Sequence, residues 1–396
     1  MENIQGHKRK TIFLTGATGF VGRHLAVQLL ALGYRLILLV RPKRIDPWKR
    51  VRRVISEAIG YNQLQESVWE NVHIVIGDIT ERNLSLSSSN LDLVRQADAT
   101  IHCAALVSFE DKKKELERCN VIGTERVVDL LKQIACPELH YISTAFVSGY
   151  QRGQVLEEAS ERPLEFNNWY EETKFLAEQL VISYSKTHRE TVIYRPGIIV
   201  GRFADGFTTS FGGFYRFLAI LDTFFRQIQT RATNAAFINR FVGIEQRNGY
   251  WHIPIRVPGR LEKTVNLVPI DFVTQGILAI FHDSSSFGKI HHLVNQAPPT
   301  IGGIKEVVDN LYGVQGVTLI TPEKFESIRI TPLESLFLAT THRYLFYLKN
   351  PEPRFVDTNA QKILQKRGIF CPQFDRAAIE RLIEFARHSF WGREVR

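Results

Sequence analysis

No run of about 18 uncharged apolar residues occurs in this 396-residue chain, so no helix able to span a bilayer is expected. Cysteine is scarce as well. Cys103, Cys119, Cys136 and Cys371 contain no CxxC pair, which excludes a disulfide framework and a cysteine-based zinc site. They read as reduced thiols of a cytoplasmic protein, and no metal is expected. The N-terminus, MENIQGHKRK, is polar and basic, and a glycine breaks the apolar run behind it after five residues. A signal peptide is therefore not expected. Internal repeats and low-complexity tracts are missing. No recognised nucleic-acid module appears and the basic residues do not alternate with aromatics, so nucleic acid is not an expected partner.

Hydrophobic residues make up 44% of the chain, which excludes disorder as a description of the whole. The length is ample for one large core with a smaller attached domain. The formal net charge is +9. Phosphates, acidic carrier proteins and anionic membrane surfaces all suit that balance.

The organising stretch is TIFLTGATGFVG, Thr11 to Gly22. Five apolar or β-branched residues suit a buried strand. Gly16, Gly19 and Gly22 follow at three-residue spacing, and Leu25, Leu29 and Leu30 then repeat as on a helix. Strand, glycine turn and helix open a dinucleotide-binding βαβ unit, although the spacing is GxxGxxG and not the commoner GxGxxG. A pyrophosphate must approach backbone N–H groups at the positive end of a helix, and a Cβ there would block it.

RLILLV, Arg35 to Val40, reads as the second strand and ends in Arg41, 25 residues after Gly16. An NAD-specific site would place an acid near this position. An arginine favours the 2′-phosphate of NADP instead. Arg23 in the glycine turn is a second candidate. Lys43, Arg44, Lys49, Arg50, Arg52 and Arg53 read mostly as a solvated helix face. VHIVI, Val72 to Ile76, is a third strand, with Gly77-Asp78 behind it. Asp78 suits an adenine amino group or, equally, a plain helix cap. Further strands begin at Thr100 and His140, and the alternation with helical segments predicts a parallel, doubly wound Rossmann-type α/β sheet. Tyr170 and Lys174 share one helix face at i and i+4, beyond the fifth strand's Ser143-Thr144. A cation beside a phenol stabilises the phenolate and fits it for proton transfer near neutral pH. A Thr144 hydroxyl suits a substrate oxygen on which charge develops.

TGATGFVG, GDIT, HCAALV, NVIGT, STAFVSG, YEETK, YRPGIIVG and NLVPIDFV stand in the order found in the extended short-chain dehydrogenase/reductases, which the chain resembles over roughly residues 11 to 275. LLVR, HCAALVSF, STAFVSG, RPGIIVGRFADG and GGFYRFL make it most similar to the thioester reductase and fatty acyl reductase branch, the "male sterility" type. The resemblance implies Tyr170 as proton donor, with Lys174 lowering its pKa and binding the nicotinamide ribose. It implies Thr144 as the hydroxyl facing the carbonyl, with Ser143 a rival, and Asn120 as a residue that orders the site. The expected cofactor contacts are Gly16, Thr18, Gly19, Phe20, Val21, Gly22, Arg23, Arg41, Asp78, Ile79, Ala104, Ala105, Tyr170, Lys174, Pro196 and Gly197. Ser148 stands where many extended members have tyrosine, which argues against a sugar-nucleotide substrate.

Residues 202 to 263 leave the strand–helix rhythm. Phe207, Phe211, Phe214, Phe217 and Leu221 are expected either to wall an acyl groove or simply to pack on the core. Asn248-Gly249 signals a hairpin that would rim the site. Thr264 to Leu267 reads as a strand returning to the main sheet, before a helix from Ile270 to Phe281. Gly368 reads as a helix stop. Ile379, Leu382, Ile383, Ala386 and Phe390 read as an amphipathic helix whose default role is packing, with a lid or membrane-surface contact as the alternative. The expected division is a dinucleotide-binding domain, 8–201 plus 264–296, and a smaller, mixed C-terminal substrate-binding region, 202–263 plus 297–396. The expected function is NADPH-dependent reduction of acyl thioesters, on coenzyme A or an acyl carrier protein, to aldehyde or alcohol. The enzyme would be cytoplasmic, with peripheral membrane contact compatible with its charge. The alternatives are an extended dehydrogenase or epimerase of a sterol-like or nucleotide-sugar substrate, and a non-catalytic NADP(H)-sensing module.

Overall fold

Thr11–Thr15 is buried at every position, as a strand covered on both faces must be. The structure, a computed structural model, describes residues 10–59, 64–110, 112–160, 165–232, 241, 243–350 and 352–393. Its main elements run in chain order as β1 (Thr11–Thr15), α1 (Phe20–Ala31), β2 (Arg35–Val40), α2 (Pro47–Ala58), β3 (Val72–Ile76), β4 (Ala99–His102), α3 (Gly123–Ile134), β5 (Glu138–Ile142) and α4 (Trp169–Ser185). There follow β6 (Thr191–Pro196), α5 (Phe214–Arg231), α6 (Ile270–Phe281), β7 (Ile290–Leu293), α7 (Ile301–Tyr312), α8 (Pro332–Lys349), α9 (Thr358–Leu364) and α10 (Arg376–His388).

β1 to β7 form one parallel sheet in the order β7-β6-β5-β4-β1-β2-β3. This is the expected doubly wound α/β class. The order reverses between β1 and β4, which opens a crevice at the carboxyl ends of those strands. One face of the sheet is covered through Leu25, Leu29, Val51, Ile55, Ile277 and Ile363, from α1, α2, α6 and α9. The other is covered through Val127, Leu131, Ala177 and Val181, from α3 and α4. Each such fully buried side chain contributes roughly 1.5–3 kcal/mol. A separate core gathers α5, α7, α8 and α10 around the strand Tyr250–Pro258. The last hundred residues thus serve both cores, because Ala360, Ile363 and Leu364 pack with the sheet while Ile379 and Leu382 pack with α5.

The return strand lies elsewhere than expected. Leu267–Pro269 pairs with Ile198–Val200 in a two-stranded sheet, and Thr264 makes only an isolated bridge to Thr300. The seventh strand of the main sheet is Ile290–Leu293. Its sequence, IHHL, carries two histidines that are fully buried, so it shows no apolar run. The hairpin at Asn248-Gly249 forms, with φ of 49° and 81° as a two-residue reverse turn requires. It joins Glu245–Arg247 to Tyr250–Pro258, which pairs in parallel with Val314–Ile320. Gly368 ends a short helical turn in the left-handed region, φ 65°. The apolar face of α10 is turned inward through Ile379, Leu382, Ile383 and Ala386 and packs on the second core. Phe390 lies beyond the helix end and is 57% exposed. Among the described residues no helix is long and apolar enough to cross a membrane.

Candidate active site

The glycine turn between β1 and α1 is shaped by contact. Gly16 has φ +77°, and a Cβ there would lie 2.6 Å from the Ala104 nitrogen. A Cβ on Gly22 would lie 2.2 Å from the Gly16 oxygen. α1 begins with Gly19 as its N-cap, with no side-chain cap and no acid in its first turn. Its free N–H groups and positive end are therefore left for an anion. Gly19, Phe20 and Val21 line a cavity of about 610 Å³. This arrangement fits the pyrophosphate of a dinucleotide. Ala105 shares the cavity wall, whereas Ala104 backs the turn, its N–H donating to Thr15 Oγ1 at 3.3 Å.

The same cavity receives Ser143, Thr144, Tyr170, Lys174, Pro196 and Gly197. Asn168 caps α4, its Oδ1 accepting the Glu171 N–H at 3.0 Å, so Tyr170 sits in the first turn with Lys174 one turn on. Lys174 is 2% exposed and donates to Tyr141 Oη and to the Ile142 carbonyl, both at 2.8 Å. Burial pushes its pKa down to about 8. Burial also pushes the Tyr170 phenol up, with Glu171 and Cys103 adding to the rise. The expectation that Lys174 lowers the phenol is not met in this arrangement, because desolvation dominates and the ammonium's bonds go to β5. Thr144 is buried and its Oγ1 accepts the Phe146 N–H at 3.3 Å. The buried Ser143 hydroxyl has no partner among the described residues.

Two further residues, Asn120 and Arg195, fix the frame. Asn120 accepts from the Leu106 N–H at 2.8 Å, and its amide donates to the Leu106 carbonyl and to Thr173 Oγ1, each at 3.0 Å. It does not line this cavity, but it ties the loop after β4 to α4. Arg195 of β6 holds Glu178 of α4 in a buried ion pair, Nη2 to Oε1 at 2.6 Å.

At the far end of β2 the structure sorts the basic residues. Arg41 is exposed at the strand's end. Arg23, the second expected phosphate ligand, is engaged by the Thr18 and Gly19 carbonyls and by Glu57 at 3.0 Å. Its guanidinium braces the turn against α2. Arg50, read as a solvated face, is only 6% exposed. Its Nη2 donates to the Arg41 carbonyl at 2.7 Å, while Nε and Nη1 have no partner among the described residues. Burial lowers its pKa, and Arg41 and Arg53 add to that. Helical period was the available signal, since Arg50 precedes the buried Val54 by four residues and Val51 and Ile55 flank it. Asp78 accepts the Thr80 N–H at 2.9 Å within a turn, and the next helical turn begins from Glu81, so Asp78 is not its N-cap. Ile79 is buried against Gly123, where a Cβ would lie 2.8 Å from Ile79 Cδ1.

Beyond Tyr170 the cavity is walled by Phe214, Phe217 and Leu221, as expected, and by Phe225, Val257, Val308, Leu319, Phe337 and Leu348. Phe207 and Phe211 do not reach it. Phe207 packs on Phe385 at 5.4 Å and under the Arg202 guanidinium, and Phe211 lies against Tyr215 and Gly392. The hairpin at Asn248-Gly249 does not line it either. Phe109, from the HCAALVSF loop, packs its ring on Tyr170 at 6.1 Å and on Tyr344 and Tyr347 of α8. The same cavity is also lined by Glu171, Lys263, Tyr347 and Glu352. None of this polar wall was singled out in the sequence, since its members are far apart in the chain and carry no motif.

Residues 14–277 match the family model described as male sterility protein, an NAD-binding model. A putative fatty acyl-CoA reductase of Drosophila melanogaster is 32% identical over 155 residues, covering 38% of this chain and 28% of its own. A component of the linear gramicidin synthase of Brevibacillus parabrevis is 23% identical over 94% of this chain, which corresponds to 7% of that protein. The chain thus spans less than a third of either relative. Among solved structures, the terminal R domain from the myxalamid PKS-NRPS biosynthetic pathway superposes with a TM-score of 0.73 at 23% identity, covering 97% of this chain and 92% of that one. At that identity the likeness shows the fold.

Proposed function

The chain belongs to the male sterility family of NAD-binding proteins, oxidoreductases of the extended short-chain dehydrogenase/reductase type, and we propose that it reduces acyl thioesters with NADPH. The observation that carries this reading is one continuous cavity. It runs from the uncapped start of α1, past Tyr170 and Lys174, into a deep apolar wall. Such a space suits a nicotinamide at one end and an acyl chain at the other. A nucleotide sugar would find few polar partners along that wall.

When bound, the nicotinamide supplies the hydride. Tyr170 donates its phenolic proton to the substrate oxygen, and Thr144 steadies that oxygen through its free O–H. Lys174, held by Tyr141 and the Ile142 carbonyl, would face the nicotinamide ribose. The resulting thiohemiacetal collapses to thiol and aldehyde, and a second reduction of the aldehyde gives the alcohol. Arg41 and Arg50 are assigned to the 2′-phosphate, which is the ground for NADPH over NADH. The acyl group is carried by coenzyme A or an acyl carrier protein.

The apolar wall sets a measurable expectation. Each methylene buried there contributes about 0.8 kcal/mol, so four are expected to raise affinity about a hundredfold. Acyl-CoA or acyl-pantetheine substrates from about C4 to C18 should therefore bind more tightly with length until the cavity ends. Phe217→Ala or Leu221→Ala should shift the preferred length and leave NADPH binding unchanged. NADPH consumption and aldehyde release report the result. A flat length dependence returns these residues to core packing. Turnover of a hydroxysteroid with no thioester consumed hands the function to a sterol-like substrate.

A further inference from the structure

α7 lays Ile301, Ile304, Lys305, Val308 and Asp309 along the cavity. Three of these are apolar, like Val257 and Leu319 on the strands nearby. Lys305 and Asp309 are not. They stand one turn apart, with the Lys305 ammonium bonded to the Asp309 carboxylate. Their side chains are 21% and 24% exposed. Glu306, on another face of the same helix, is 65% exposed and pairs with Arg376 of α10 at 3.0 Å. The solvated charge of α7 therefore lies there, and the Lys305–Asp309 pair is drawn partly out of water into an apolar space. Burial raises the Asp309 carboxyl, against the pull of Lys305. Withdrawing an ion pair from water is costly unless further bonds reach it. Among the described residues Asp309 Oδ1 accepts no bond, and the ammonium has N–H groups to spare.

α5 measures how far the pair lies from the reacting centre. Phe217 packs on Tyr344 at 5.4 Å, and Tyr344 packs on Phe109, whose ring also meets Tyr170. Phe225 lies two turns further along α5, about 12 Å on. It packs on Tyr312 of α7 at 5.7 Å, and Asp309 is one turn before Tyr312. The pair thus stands at the distal end of the apolar wall, where the tail of an acyl chain would arrive.

We propose that Lys305 and Asp309 form a subsite for a hydroxyl at the far end of the acyl chain, so that the preferred substrate is a tail-hydroxylated acyl thioester and not a plain alkyl one; this rests on the thioester reading of the cavity. A hydroxyl both donates and accepts, so one group reaches the idle carboxylate oxygen and the ammonium without parting them. A terminal methyl leaves both idle and takes them further from water. A terminal carboxylate or ammonium would have to break the pair to be matched.

Thioesters of matched length, with and without a terminal hydroxyl, test this. In the wild type the hydroxyl should lower kcat/KM for shorter chains, where it would lie against apolar side chains. Once the tail reaches the pair, the hydroxyl should raise kcat/KM about tenfold or more. Carboxylate-ended and ammonium-ended chains of that length should fall below the hydroxylated one. Lys305→Met combined with Asp309→Leu continues the apolar wall and should reverse the preference, making the plain chain the better substrate. Its melting temperature should hold, since apolar groups replace a withdrawn pair. Should the double variant fail to fold, the wild-type series decides by itself. A hydroxyl that lowers kcat/KM at every length, or a preference that survives the double variant, overturns the subsite and leaves an ordinary helix pair. A preference for a charged tail overturns it as well. No consumption of any thioester overturns instead the reading of the cavity beneath it.

Discussion

Tyr170→Phe is expected to lower turnover of a verified thioester by roughly 10²–10⁴, the usual range for loss of a general acid. The ring stays, so the contact with Phe109 at 6.1 Å and the capped first turn of α4 should survive. Lys174 keeps its two bonds to β5, because neither partner is Tyr170. NADPH affinity should therefore change little, and the loss should appear in the chemical step. Removing a buried hydroxyl can cost about 1–3 kcal/mol when it leaves a partner unpaired. Tyr170 is only half-buried and shares its wall with Thr144 and Lys174, so the melting temperature should change little. Stopped-flow NADPH oxidation in single turnover, with a thermal melt alongside, measures both. A variant that kept most of its rate would reduce Tyr170 to packing and send the search to the Ser143 hydroxyl, which has no partner among the described residues.

The second large effect concerns Arg50. A buried guanidinium with two nitrogens unpaired and two arginines nearby is unfavourable until an anion arrives. The 2′-phosphate of NADPH is the anion assigned to it, together with Arg41. Each charge-assisted bond is worth about 1.5–3 kcal/mol, ten- to hundredfold in affinity. Arg50→Leu and Arg41→Ala should each weaken NADPH binding by that factor and leave NADH binding nearly unaltered. The double variant should lose less than the sum, since both residues would address one phosphate. Arg50→Leu should also melt no lower than the wild type in the absence of cofactor. Calorimetric titration of both cofactors into the four proteins decides it. Equal affinity of the wild type for NADH and NADPH would sink the assignment. An unchanged ratio with lost stability would make Arg50 a strut for the Arg41 carbonyl.

What the sequence made legible was local. β1, the glycine turn and α1 follow from an unbroken apolar strand, three spaced glycines and a helical repeat, and the sheet follows from repetition of that unit. β7 was hidden because His291 and His292 occupy a fully buried strand, held there by bonds to Glu157 and backbone carbonyls. Phe207 and Phe211 misled for a different reason. Spacing by fours indicates a face only inside a helix, and α5 starts at Phe214, after a segment with positive φ at Gly206 and Gly213. Arg50 is concealed by a basic cluster, and only the 50-54-58 period of its helix points to its burial. The Glu171–Tyr347 bond joins residues 176 apart in the chain, a separation that no window along one sequence can bridge.

The passage of the chain between its two cores has a consequence for how the molecule is made. It leaves the sheet layers for α5, returns with α6 and β7, leaves with α7 and α8, returns with α9 and leaves with α10. The short strand Arg354–Phe355 fastens one of those returns to Gln154–Val155, 200 residues back. Neither core can close until segments on both sides of the other have been made. Contacts of such long reach slow the search for the native state, because loop closure precedes most of the gain. They also bind the two cores into a single cooperative unit, so calorimetry should record one melting transition. On the ribosome one face of the sheet would wait, incompletely covered, for α9 to arrive.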